Sequence, residues 1–266
     1  MSRKVAKVKY VGSAGQVVPQ GEGIGYWDFL YSKSTVINPD FYVGDRVVLP
    51  DGRVFRYGRE HASTDLNPLD VEAATGVFCT GTMSDDGVAA STNRAQAVGD
   101  RELRFASQTF AKDELRGGYV VIYSTVVYQQ AGIVGNNACS GTALTVYLDR
   151  PLNGAVTSSQ YCEILPNPYL YLGRDADSYN AVMGIPMVTP STAEYFWLQT
   201  WGPLWVNPGA GPTGGGGGER QVVFWVDGTL RLHDDSYKGA QHAGFILQMD
   251  PHGSDGPPFI MLQISP

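Results

Sequence analysis

At 266 residues, 43% of them apolar and only 17% charged, the chain can bury one large β-domain or two smaller ones, and is too sparsely charged for a disordered or solvated helical protein. Its 33 glycines and 16 prolines fall mostly between short β-branched or aromatic runs, which is how an all-β chain is punctuated. The formal charge of −7 comes without a basic stripe, so the composition speaks against a nucleic-acid partner.

No run approaches the roughly 20 apolar residues that span a bilayer, and no apolar segment follows Met1-Ser2-Arg3-Lys4. No membrane partner is expected, and the protein is expected to be soluble and made in a cytoplasm. Cys79, Cys139 and Cys162 are too far apart for a zinc or redox pair and read as small buried hydrophobes in a reducing compartment.

Residues 1–40 read as an extended N-terminal arm. Val5, Val8, Val11, Val17 and Val18 are interspersed with glycines, too loosely for a core, before Tyr26, Trp27, Phe29, Leu30 and Tyr31 form an aromatic knot. Such a knot packs on its own domain or on a neighbour. Arg3, Lys4, Lys7 and Lys9 are the one basic cluster, read either as a solvated terminus or as an arm docking on an acidic partner. With Tyr26 and Trp27 they are the candidate partner-binding residues.

Residues 41–100 form a hairpin and loop region. Arg46 to Leu49 and Arg53 to Tyr57 flank Pro50-Asp51-Gly52, and Asp-Gly supplies the positive φ that a tight β-turn needs. Asn67 to Thr75 suits a short helix, capped by Asn67 with Pro68 at its first position. Ser84 to Gly99, polar and small, reads as an exposed loop.

Residues 101–266 are predicted to be a β-barrel or sandwich body. Tyr119 to Tyr128 reads as one long strand, Gly135-Asn136-Asn137 as a turn, and Ala143 to Leu148 and Tyr161 to Leu165 as further strands. Tyr195 to Thr200 alternates with both faces mostly apolar, as for a strand packed on each side, and Gly202-Pro203 is expected to interrupt it before a second strand from Leu204. Gly209 to Gly218, with five consecutive glycines, reads as a mobile loop tip. Asp227-Gly228 closes a second hairpin, and Ala243 to Met249 and Phe259 to Ile264 are the last strands.

No nucleophile elbow, phosphate loop, dinucleotide fingerprint or zinc-protease motif is present. His233, Asp234, Asp235, His242 and His252 could in principle ligate a divalent metal, but their neighbours suit solvated turns. Asp85, Asp86, Asp113 and Glu114 lie beside turns, and no pair stands out for glycoside hydrolysis. Trp201, Trp205 and Trp225 could stack on sugar rings, although tryptophans at strand spacing more often belong to a core. No enzyme activity, cofactor or metal is expected.

Tyr195 to Pro203, following Gly184-Ile185-Pro186, resembles a pattern in head structural proteins of tailed bacteriophages. Gln241 to Phe245, Gly256 to Ile264 and Asn38 to Tyr57 are similar to segments of the same group, so the likeness covers about half the chain. More loosely, the chain is similar to capsid decoration (cement) proteins with a β-barrel core. That resemblance implies a virion structural protein on the capsid surface, made in the bacterial host cytoplasm and bound to the major capsid protein, often as a homotrimer. The alternative is a glycan- or receptor-binding module on the head or tail; a hydrolytic virion enzyme is a third reading with no nameable site.

Overall fold

A computed structural model describes residues 9–10, 16–18, 28–61, 79–81, 88–91, 95–123, 128–157, 161–173, 181–205, 220–224, 230–233, 239–248 and 259–266. The chain is mainly β, as its punctuation predicts, and divides into two compact units: residues 1–82 with 169–266, and residues 83–168. The spans 41–100 and 101–266 each contribute to both units.

The first unit opens with β1 (Lys9–Tyr10) and β2 (Gln16–Val18), a 3₁₀ turn at Asp28–Tyr31, the hairpin β3 (Arg46–Val48) and β4 (Val54–Arg59), and β5 (Cys79–Gly81). The second unit holds β6 (Val88–Ser91), β7 (Glu102–Phe110), β8 (Tyr119–Tyr123), β9 (Tyr128–Asn136), β10 (Cys139–Leu148) and β11 (Tyr161–Leu165). The chain then returns to the first unit with β12 (Leu172–Gly173), β13 (Ala181–Pro186), β14 (Tyr195–Trp205), β15 (Gln221–Phe224), β16 (Leu230–Leu232), β17 (His242–Gln248) and β18 (Phe259–Gln263). Gly81 of β5 lies directly opposite Leu172 of β12. The second unit is therefore an insertion whose two ends leave neighbouring strands.

The inserted unit is an antiparallel sheet in the order β6-β11-β8-β9-β10-β7. It curls until β6 and β7 approach without pairing, which makes a half-barrel. Period-two alternation turns Ala131 and Ile133 inward and Tyr128, Gln130 and Val134 outward, and the inward residues pack with Leu103, Phe105, Ile122, Leu144 and Ile164. Tyr119 to Tyr128, predicted as one strand, is two: Tyr123 pairs with Tyr128, so the chain reverses between them. No glycine or proline marks that reversal. Gly135 and Asn136, predicted as a turn, belong to β9 opposite Tyr147 and Val146. Asn136 is buried and fully bonded: Nδ2 donates to the carbonyls of Ala111 and Asn137, both at 2.8 Å, and Oδ1 accepts from the Leu115 amide at 2.9 Å. The loop predicted over Ser84 to Gly99 contains β6, which pairs with β11.

The first unit's sheet follows β1-β2-β3-β4-β14-β18-β17-β15-β16, with β13, β5 and β12 branching from β14; it remains largely unclosed. Among the described strands its pairings are antiparallel except β2 with β3. The Asp-Gly hairpin forms as predicted: Gly52 takes φ +86° and Asp51 Oδ1 accepts the Arg53 amide at 3.1 Å. The second hairpin's strands pair as predicted through Phe224 and Leu230; Asp227-Gly228, the helix at 67–75 and the five-glycine run lie outside the described residues. Leu30, placed by sequence in a knot that packs on its own domain or on a neighbour, is fully buried in the core of its own unit, and Ser34 exchanges two backbone hydrogen bonds with Tyr195.

β14 is the centre. Trp197 packs with Phe29 (5.5 Å), Phe41 (5.1 Å) and Tyr57 (5.1 Å) on one face, while Phe196 and Leu198 pack with Tyr169 and Leu172 on the other. The two-sided burial is as the alternation predicts. The interruption at Gly202-Pro203 is not: β14 runs unbroken from Tyr195 to Trp205. It pairs with β4 from Tyr195 to Trp201 along one edge, and along the other with β13 at Leu198 and Gln199, then with β18 from Trp201 to Trp205. Gly202 absorbs the bend at φ +102°, and a Cβ there would lie 2.9 Å from Arg53 Cα. Buried Gln199 completes the arrangement: Nε2 donates to the carbonyls of Trp201 (3.1 Å) and Pro203 (3.0 Å).

Gly202→Ala combines a strained backbone with this contact and should lower stability by about 1–3 kcal/mol. Urea unfolding measures it, and an unchanged midpoint would contradict the strain. In the inserted unit, burial pushes the Cys162 thiol up to about 11 from an ordinary 9.0. The folded state therefore holds a proton that the unfolded state releases first. Stability from this group is complete below pH 9 and is lost as pH rises towards 11. Cys162→Ala should flatten part of the alkaline fall in Tm, leaving the share of Tyr57 and Tyr169, whose hydroxyls burial also raises.

Candidate functional site

β14 and β18 also shape an exposed apolar surface of the first unit. Opposed residues of an antiparallel pair share a face, and the register sets Trp205 against Phe259, Pro203 against Met261 and Met261 against Phe245. Trp205 is 46%, Phe259 40% and Phe245 37% exposed, with Pro203 and Met261 half-buried between them. Burying such rings from water is the main reward available to a binding surface, at roughly 25 cal/mol per Å² of apolar area.

Beside the patch runs an open groove of about 340 Å³, lined by Asp51, Arg53, Met187, Gln199, Pro203, Leu204, Trp205 and Phe259. Asp51 Oδ2 and Arg53 Nε form an ion pair of 2.7 Å on its wall. Gln199 Oε1 is buried and accepts no hydrogen bond, whereas both Nε2 bonds go to backbone. The groove thus offers an aromatic wall and a charged pair. A tyrosine row occupies the inserted unit, where Tyr119, Tyr123 and Tyr128 are exposed on β8 and β9 and Tyr123 faces Tyr128.

The tryptophans separate by role. Trp197 is core, Trp201 half-buried and Trp205 exposed, while Trp225 lies outside the described residues. Of the candidate partner-binding residues, Arg3, Lys4, Lys7, Tyr26 and Trp27 lie outside them too, and Lys9 is described only as backbone of β1. Asp85, Asp86, Asp234, Asp235 and His252 also lie outside. His242 faces Val223 and its Nε2 is 3.5 Å from Gln263 Oε1, whereas the His233 amide donates to Gln221. Among the described residues no three His, Cys, Asp or Glu side chains group as metal ligands. Asp113 and Glu114 serve the fold: Asp113 Oδ1 accepts the Asn136 amide at 3.3 Å, and Glu114 Oε2 the Ala111 amide at 2.7 Å. Cys139 and Cys162 are buried free thiols.

Phe259 and Phe245 were not singled out by the sequence. The available signal was their place one residue from the buried Ile260 and Ile246, which alternation assigns to the opposite face. Compared with models of protein families, with curated proteins and with solved structures, the chain matches none.

Two substitutions distinguish scaffold from surface. Trp197→Ala empties the aromatic cluster and should cost about 3–5 kcal/mol. Trp205→Ala removes an exposed ring and should stay within about 0.5 kcal/mol. Comparable losses in chemical denaturation would contradict the assignment of Trp205 to the surface.

Proposed function

We propose that this protein is a virion structural protein that docks on the assembled capsid lattice of a tailed phage and stabilises it, binding the major capsid protein as a homotrimer. The observation that carries the reading is the apolar face of Trp205, Phe259 and Phe245, mounted on strands whose opposite side is packed. Rigid aromatic anchors are what a protein partner grips with least loss of side-chain entropy. Three copies would multiply modest contacts into tight attachment. The resemblance of the tryptophan strand and the first hairpin to phage head proteins supplies the identity of the lattice. On this reading the basic arm contributes a second contact through Arg3, Lys4, Lys7, Lys9, Tyr26 and Trp27.

Cosedimentation with undecorated capsids tests both contacts. A Trp205→Asp, Phe259→Asp double variant should lose binding by about tenfold or more while keeping its β circular dichroism. Truncation must stop before Asp28, because Phe29 and Leu30 belong to the Trp197 cluster; removal of residues 1–27 should then weaken binding without unfolding the body. Wild-type occupancy by both variants would overturn the reading.

The groove favours a second reading, a glycan-binding surface. An exposed indole beside the Asp51–Arg53 pair has the composition that recognises a sugar ring and its hydroxyls. A glycan array compared between wild type and Trp205→Ala separates the two, since a lattice-binding protein gives no Trp205-dependent glycan signal.

A further inference from the structure

The first hairpin contains a charge arrangement that its fold does not need. Arg46 of β3 and Arg56 of β4 are direct cross-strand partners. The Leu49 amide donates to the Arg53 carbonyl at 2.8 Å, and the Tyr57 amide to the Asp45 carbonyl at 3.0 Å. Hydrogen-bonded and non-hydrogen-bonded pairs alternate along an antiparallel ladder, so Arg46 and Arg56 form a non-hydrogen-bonded pair, the kind that brings side chains closest. Two like charges so placed oppose folding.

Among the described residues neither guanidinium has a carboxylate within ion-pair distance, in a chain with 26 acidic residues against 19 basic ones. Both side chains are half-buried, and the Nε atoms of both are buried without a hydrogen-bond acceptor. Burial, and then the charge of Arg56, lowers the pKa of Arg46. Arg56 is also held in place: Nη1 donates to the Gly44 carbonyl at 3.1 Å, its guanidinium lies 5.7 Å from the Tyr169 ring centre, and Nη2 is 3.5 Å from Ser265 Oγ. One fixed guanidinium and a second beside it thus keep their Nε donors without an acceptor.

The geometry points to an oxyanion-binding site in which Arg46 and Arg56 hold one carboxylate, phosphate or sulfate group. The anion removes the repulsion between the two arginines and supplies charge-assisted bonds that forked guanidinium groups are built to make. The site is independent of the aromatic patch and of any lattice-binding role.

Melting curves and isothermal titration on the full chain, in chloride, phosphate, sulfate and acetate at matched ionic strength, test it. Wild type should melt higher in at least one oxyanion than in chloride. Arg46→Gln should lose about tenfold or more of that anion's affinity and melt at or above wild type in chloride, because it loses a like-charged neighbour. Arg46→Lys, which keeps the charge but not the fork, should bind with intermediate affinity and covers the case in which Arg46→Gln does not fold. An effect of phosphate or sulfate without acetate assigns a tetrahedral anion; acetate acting as strongly assigns a carboxylate, the chemistry of an acidic side chain on a partner. If no oxyanion stabilises wild type more than chloride does, or if both variants keep the full response, the site does not exist.

Discussion

The fold depends on satisfying the backbone of one buried strand. From Phe196 to Thr200 β14 is buried on both faces, so water cannot complete any hydrogen bond that its neighbours leave open there. It must nevertheless change partners, because the edge that β13 occupies at Leu198 and Gln199 passes to β18 from Trp201 onward. Where the pairing with β4 ends at Trp201, Gln199 bonds the carbonyls of Trp201 and Pro203 from within the strand through one amide nitrogen. An unsatisfied buried carbonyl costs on the order of 1–3 kcal/mol.

Once β14 is fixed, the remainder of the first unit has a frame to assemble on. Trp197 draws together Phe29 from the 3₁₀ turn, Phe41 from the segment before β3, and Tyr57 from β4, all within 5.5 Å between ring centres. Edge-on and tilted rings at these separations add specificity to bulk burial. The same strand carries Trp205 into solvent eight positions later. Core and candidate binding surface are therefore parts of one rigid element, and the exposed indole needs little further ordering to meet a partner.

What could be read from the sequence tracks how local each signal is. Asp51-Gly52 set the first hairpin because a positive φ is demanded by adjacent residues. Tyr195 to Thr200 announced two-sided burial through simple alternation. Gly202-Pro203 misled because a break and a bend share the same residues; the difference lies in Gln199, whose role is visible only when its amide reaches two carbonyls. Asn136 misled for a related reason, since asparagine beside glycine favours a turn unless its side chain is buried and fully bonded. The like-charged Arg46–Arg56 pair needed the strand register, and Phe259 beside Trp205 needed a pairing between distant segments. The insertion at residues 83–168 left no compositional seam.

That insertion determines the order in which the molecule can be made. Residues 83–168 are contiguous, so the half-barrel has all its strands as soon as β11 emerges from the ribosome. β4 must wait for β14, and β14 in turn for β18 at the far end of the chain. Until then the hydrophobic residues of β3 and β4 are without their central partner, while a completed inserted unit has already brought β5 and β12 close enough to pair. Closing the nested module shortens the effective distance over which contacts between the two flanking segments must be found.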